Sequence, residues 1–303
     1  MTSANANGIT IEYEVHGEAD GLPLLLVMGL GGQLVGWPID LIDLLTAQGF
    51  RVVRYDNRDS GLSTHIDTPP PSTRQIFAAL ASPRRAQPSY TLADMADDAV
   101  GLLDALGIQR AHVLGISMGG MIAQTITIRH PERVASLTSI MSNPGDRKHG
   151  RPSAGLLRKM PKLMRGQRED AVENGIEMFR LISGPAFDAS AARDIVTAGL
   201  ARSYDPDATA RQVMAILASP DRTDDLGAVT VPTLVVHGLV DPLVKSSGGI
   251  ATVRAIPGAR LVMYPDMGHD LPRSRWPELV EEVVRNSRRA TEPAPSVPAS
   301  SLA

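Results

Sequence analysis

The chain has 303 residues, 43% hydrophobic and 21% charged, and 30 basic against 33 acidic side chains leave a formal charge of −3. That length allows a large core, and the near balance of charge offers no footing for nucleic acid or an anionic membrane surface. The absence of cysteine excludes disulfides, thiolate catalysis and cysteine-ligated metals.

Met1-Thr2-Ser3-Ala4-Asn5 has neither the basic nor the apolar region of a secretory signal. No apolar run approaches the ~18 residues of a membrane span, so a soluble, cytoplasmic protein without stable membrane insertion is expected. Ile9-Thr10-Ile11-Glu12-Tyr13-Glu14-Val15 alternates and predicts an exposed edge strand, with a turn across 17–21. Pro23-Leu24-Leu25-Leu26-Val27 is continuously apolar, as a strand covered on both faces of a parallel sheet must be. It runs into the glycine-rich Met28-Gly29-Leu30-Gly31-Gly32. A helix is expected over 39–48 with Gly49 as a left-handed cap. Arg51-Val52-Val53-Arg54-Tyr55 is the next strand, ending at Asp56-Asn57-Arg58-Asp59-Ser60-Gly61. The Pro- and Arg-rich 68–88 reads as an irregular excursion. Thr91 with Asp94 resembles a capping box and opens a helix through Ala105, stopped by Gly107.

Ala111-His112-Val113-Leu114 is a short buried strand that breaks at Gly115-Ile116-Ser117-Met118-Gly119, and a helical pattern follows at once to about 129. This is the G-x-S-x-G nucleophile elbow in its strand-turn-helix setting. A Cβ at 115 or 119 would collide with neighbouring backbone, which explains the flanking glycines. Pro131 stops the helix and a strand follows over 134–141. From 143 to 220 the strand rhythm gives way to helical patterns over 156–164, 169–181, 191–202 and 208–217, which predicts a cap over the carboxyl edge of the sheet. Strand-helix alternation then resumes with Pro232-Thr233-Leu234-Val235-Val236, a helix over 249–255, Arg260-Leu261-Val262-Met263-Tyr264 and a helix over 277–288. The expected organisation is α/β, with a mostly parallel central sheet flanked by helices. The core takes 1–142 and 221–289, a helical cap takes 143–220, and the Pro/Ala/Ser-rich 290–303 forms a disordered tail.

A serine hydroxyl is a weak nucleophile near neutral pH and needs a base within hydrogen-bond reach. Behind such an elbow the partners follow in the order acid, then histidine. Asp241 follows the strand ending at Val236, and His269 follows the strand ending at Tyr264, so both fall on carboxyl-edge loops like Ser117. Of the seven histidines, His112 lies inside the central strand, His130 ends a helix, and His16, His65 and His149 lie in polar segments. His237 ends a strand and suits packing or a pocket. Asn143 and Asp146 occupy the loop where some related enzymes carry the acid, but Asn143 is no carboxylate and Asp146 sits further from the strand end. Asp266 and Asp270 lie too near His269 in sequence to be its acid and are expected to shape the loop. The oxyanion of an acyl transfer needs preorganised donors, each worth roughly 3–4 kcal/mol, and the backbone N–H groups of Met118 and Leu30 are the candidates. Met28-Gly29-Leu30-Gly31-Gly32 lacks the Lys-Ser/Thr pair of a phosphate-cradling loop.

Leu26-Val27-Met28-Gly29, Gly36-Trp37-Pro38, the stretch from Val53-Arg54-Tyr55-Asp56 to Gly61-Leu62-Ser63, and Gly115-Ile116-Ser117-Met118-Gly119 together resemble the α/β-hydrolase-fold serine hydrolases over residues 8–289. Within them the chain resembles the aclacinomycin methylesterase-like branch and related bacterial carboxylesterases. Most of the superfamily carries His-Gly where this chain has Met28-Gly29, a form this branch shares. The resemblance implies hydrolysis of a small-molecule ester by Ser117, Asp241 and His269, oxyanion donation by Leu30 and Met118, and no cofactor. The cap carries no substrate-specific motif, and its Met160, Leu163, Met164, Met178, Phe179, Leu181, Phe187 and Met214 suit an apolar pocket or plain packing. A cofactor-free perhydrolase or a carbon–carbon bond hydrolase shares the triad, and a non-catalytic ligand-binding member shares the fold. Oligomeric state has no signature in the chain.

Overall fold

A computed structural model describes residues 2–164 and 170–290, with backbone alone for 160–164. The expected tail from 291 lies outside the described residues. Among the described residues eight strands form one sheet: β1 (Thr2–Ala6), β2 (Ile9–His16), β3 (Leu22–Val27), β4 (Phe50–Tyr55), β5 (Ala111–Ile116), β6 (Val134–Ile140), β7 (Thr233–Gly238) and β8 (Arg260–Tyr264). Their order is β1-β2-β4-β3-β5-β6-β7-β8. β2 runs antiparallel to β1 and β4, and all other pairings are parallel.

The continuous apolar runs follow from double coverage. In β3, Leu24 and Leu26 join Trp37, Leu41, Ile42 and Leu45 from α1 (Ile39–Thr46) and its approach, and Leu279, Val280, Val283 and Val284 from α11 (Trp276–Arg288). Leu25 and Val27 point the other way, onto α3 (Leu92–Ala105) and α4 (Met118–Arg129). Each such side chain contributes about 1.5–3 kcal/mol by leaving water. Thr91 caps α3 as expected: its hydroxyl accepts from the Asp94 amide while the Asp94 carboxylate accepts from the Thr91 amide.

Two local readings are corrected. The edge strand is β1, outside β2. Its small polar residues carry little strand signal, but Asn7 and Gly8 both adopt positive φ, 46° and 78°, and close the two-residue hairpin that Asn-Gly favours. The excursion over 68–88 contains α2 (Thr73–Ala81), opened by a capping box between Ser72 and Gln75.

Between β6 and β7 lie α5 (Ala154–Met164), α6 (Ala171–Ile182), α7 (Ala189–Arg202) and α8 (Pro206–Ala218), close to the helices read from the sequence. Both ends of this insertion meet at Arg222, beside the short α9 (Thr223–Leu226). Its guanidinium donates to Asn143 O (3.0 Å), to Ser219 Oγ (2.6 Å) and to Gln124 Oε1 of α4 (3.2 Å), and its amide donates to Pro144 O. Burial pulls its pKa down to about 10, against the opposing pull of the Asp221 charge. Helix α10 (Ser247–Ala255) follows β7. No helix among the described residues is long and apolar enough to cross a membrane.

Candidate active site

β5 delivers Ser117 at the carboxyl edge with φ 55° and ψ −120°, between the last strand residue and the first turn of α4. This backbone is costly for a residue with a Cβ, and the glycines on either side make room for it. A Cβ on Gly115 would stand 2.1 Å from Gly119 O, and one on Gly119 would stand 2.1 Å from Val27 O. The Ser117 amide donates to Ile140 O of β6 at 2.9 Å, tying the turn to the sheet.

His269 and Asp241 meet this serine. His269 Nε2 lies 2.8 Å from Ser117 Oγ, and Nδ1 lies 2.8 Å from Asp241 Oδ2. An ionised carboxylate only accepts, so Nδ1 carries the proton and Nε2 is left to accept the serine hydroxyl. Asp241 Oδ1 accepts from the amides of Leu243 (2.8 Å) and Val244 (2.9 Å). Burial pushes the Asp241 carboxyl upward, but hydrogen bonding from His237, His269 and Val244 outweighs it, and the pKa ends below the usual carboxylate value. His237 is fully buried, donates from Nε2 to Val244 O at 2.7 Å, and holds that nitrogen 3.5 Å from Asp241 Oδ2.

The glycine-rich loop after β3 lies against the same serine. A Cβ on Gly29 would sit 3.3 Å from Ser117 Cβ. Gly32 donates to Gly29 O at 3.1 Å, closing a turn over Leu30 and Gly31. Asn57 Nδ2 donates to Met28 O at 3.0 Å. Met118 is the first residue of α4, a position whose N–H has no intrahelical partner.

The other acidic candidates are engaged elsewhere. Asp146 accepts from its neighbours Lys148 and His149, and Asn143 Oδ1 accepts from Gly145. Asp266 pairs with Arg275. Asp270 accepts from the amides of Gly268 (2.9 Å) and Gly184 (3.3 Å), and burial raises its pKa despite them. Among the described residues no group of three or more His and acidic side chains could hold a metal ion.

A family model described as alpha/beta hydrolase fold matches residues 23–180, which include the glycine-rich loop and the elbow. The chain belongs to this family. Rhodomycin D methylesterase of Streptomyces peucetius is 29% identical over 306 aligned residues, covering 93% of this chain and 96% of that one. A candidate carbamate hydrolase, RutD of Variovorax paradoxus, is 30% identical over 86% of this chain and 89% of its own. The solved structure of a thermophilic esterase from Thermogutta terrifontis is 26% identical with a TM-score of 0.69, covering 95% of this chain and 98% of that one.

In this α/β hydrolase the helical insertion bonds to the loops around Ser117 through particular side chains and carbonyls that sequence reading did not single out. His269 donates its amide to Ile182 O at the end of α6, at 2.7 Å. Arg202 of α7 grips Asp56 through both oxygens at 3.1 and 2.8 Å. Arg211 of α8 grips Asp59 at 2.8 and 2.8 Å. Gln212 Oε1 accepts from Gly31 N at 2.8 Å. These partners lie far apart in the chain, so no local spacing announces them.

Proposed function

We propose that this α/β hydrolase is a cytoplasmic serine carboxylic-ester hydrolase that works through an acyl-enzyme, without a cofactor. The observation that carries the reading is the unbroken chain from Asp241 through His269 to Ser117, with both contacts at 2.8 Å. His269 takes the hydroxyl proton as Ser117 Oγ attacks the ester carbonyl carbon, while Asp241 holds the ring and offsets the charge of the imidazolium. The tetrahedral oxyanion is met by the N–H groups of Met118 and Leu30. Its collapse expels the alcohol, which takes the proton from His269. Water then attacks the acyl-enzyme with His269 as base, and the acid leaves from Ser117.

The substrate class is a small to medium apolar ester, with methyl esters and lactones among the candidates. Leu30 on the oxyanion loop and Leu239 and Val240 just before Asp241 leave large apolar side chains exposed on two loops that carry site residues. A relative named as a methylesterase spans nearly the whole chain. The insertion over 143–220 is read as a cap, covering the site from the α6 and α8 sides. The test is a panel of esters varied separately in acyl and alcohol parts, methyl esters and lactones included, run beside peroxide-dependent halogenation and cleavage of a vinylogous diketone. Ester turnover well above the other two supports the reading. Preferential diketone cleavage or halogenation would replace it with a carbon–carbon bond hydrolase or a perhydrolase.

A further inference from the structure

We infer that Gln212, on helix α8 of the insertion, is a positioning residue that fixes the oxyanion loop in its donating conformation. This rests on the proposed roles of Ser117 as nucleophile and Leu30 N–H as oxyanion donor.

Gly29, Leu30, Gly31 and Gly32 form a four-residue turn closed by the Gly32 amide on Gly29 O at 3.1 Å. Gly31 has φ 66° while Leu30 is not among the positive-φ residues, the pattern of a type II turn. Type I and type II turns differ by a flip of their central peptide, here the one joining Leu30 to Gly31. With glycine in the third place nothing steric forbids the flip. A flip exchanges the directions of Leu30 C=O and Gly31 N–H by turning Leu30 ψ and Gly31 φ, which changes the dipoles beside the Leu30 amide. A neighbouring donor for an oxyanion cannot tolerate that freedom, because its value depends on being aimed before charge develops.

Gln212 removes the freedom. Its Oε1 accepts from Gly31 N–H at 2.8 Å, holding the central peptide with that N–H toward α8. Its amide nitrogen donates to Arg58 O at 2.8 Å and Ser60 Oγ at 3.0 Å, so the side chain is anchored on the core at its other end. Gln212 is fully buried, where a lost partner leaves a polar group unsatisfied. Thr209, one turn earlier on α8, packs on the same glycine, its Oγ1 3.2 Å from where a Gly31 Cβ would stand. The insertion therefore does more than cover the site: one of its side chains completes the loop that faces the nucleophile.

Gln212→Met keeps the volume and removes all three hydrogen bonds. The measurement is the second-order rate of Ser117 phosphonylation by a fluorophosphonate, which loads the oxyanion hole without presuming an ester, with thermal unfolding and the labelled fraction recorded alongside. The expected result is a rate about 10–100-fold below wild type at full labelling, with kcat on an ester lowered by the same factor and KM little changed. A variant that is less stable but labels at the wild-type rate and keeps its kcat per labelled site overturns the inference, since Gln212 then only docks the insertion. Should Gln212→Met not fold, Ser60→Ala removes one anchor of the Gln212 amide and leaves the Gly31 bond. A smaller slowing in the same direction supports the inference, and an unchanged rate overturns it. Wild-type protein that does not label at Ser117 is a distinct outcome, which removes the nucleophile reading and this inference together.

Discussion

Ser117 is held at φ 55° and ψ −120°, a conformation that costs about 1–3 kcal/mol and persists only where the surroundings impose it. The contacts that impose it are backbone ones: the 2.9 Å bond to Ile140 O and the close approach of Gly115 to Gly119. Ser117→Ala keeps all of these, so its thermal unfolding is expected to match the parent while ester turnover falls by about 10³-fold or more. Asp241→Asn tests the other end of the chain. An asparagine nitrogen facing His269 Nδ1 demands the opposite tautomer, with the proton on Nε2, where it cannot accept the serine proton. A loss of about 10⁴ in kcat is expected, as for the equivalent change in serine proteases. The acid dependence has a defined sign as well. The Asp241 pKa is depressed on folding, so its stabilising contribution is complete above the ordinary carboxylate range and is lost only as pH falls through the lower folded value. Acidification from neutral to pH 5 therefore leaves the orienting carboxylate ionised. A stability difference between Asp241→Asn and the parent that is the same at pH 7 and pH 5 in urea unfolding agrees with this, and a difference that vanishes by pH 5 does not.

At the scale of elements, the helices of the insertion are tied to the loop after β4 by buried ion pairs. Asp59 is fully buried and meets Arg211 in a bidentate pair at 2.8 and 2.8 Å, while the same guanidinium donates to Thr68 O at 3.0 Å. Removing one member strands a buried charge, which typically costs 3–5 kcal/mol. Arg211→Met is expected to lower stability by about that much in urea unfolding, and Arg211→Met combined with Asp59→Asn to recover part of it; a single variant as stable as the parent contradicts the assignment. None of this was legible in the chain, because Arg211 and Asp59 are 152 residues apart and Gln212 and Gly31 are 181 apart. The elements themselves were legible, because apolar runs such as Leu24-Leu25-Leu26-Val27 and caps such as Thr91 with Asp94 act locally. Two of the overlooked elements also had local signals. Asn7-Gly8 is a hairpin turn and Ser72 with Gln75 is a capping box, but weak strand composition hid the first and proline-rich surroundings hid the second.

The whole molecule stacks two apolar layers on a sheet whose middle strand carries a buried imidazole. His112 in β5 bonds Ser136 Oγ at 2.8 Å and meets the Phe50 ring edge-on at 5.9 Å. Burial, with the Arg110 charge adding to it, lowers its pKa to about 4. Between that value and the ordinary 6.5 the unfolded chain binds a proton that the folded chain refuses, so stability falls as pH falls through this window. The slope from this site reaches about 1.4 kcal/mol per pH unit. It should be missing in His112→Gln when urea unfolding is compared at pH 7 and pH 5, whereas equal slopes in the two proteins would contradict it. The alignment of Ser117, Asp241 and His269 on three carboxyl-edge loops was readable for the same architectural reason that the sheet was: each loop follows an apolar strand. What the sheet does not encode is the set of bonds from Ile182, Arg202, Arg211 and Gln212 to the loops after β8, β4 and β3, which depends on how the helical insertion docks. Ester hydrolysis by the proposed route passes through an acyl group on Ser117. Turnover of p-nitrophenyl butyrate by the wild type and by Ser117→Ala, with the quenched proteins mapped by mass, tests it most directly. Rapid wild-type turnover and a butyryl adduct on the peptide carrying Ser117 are expected, with neither in the variant; a variant that cleaves the ester at the parent rate would rule out Ser117 as the nucleophile.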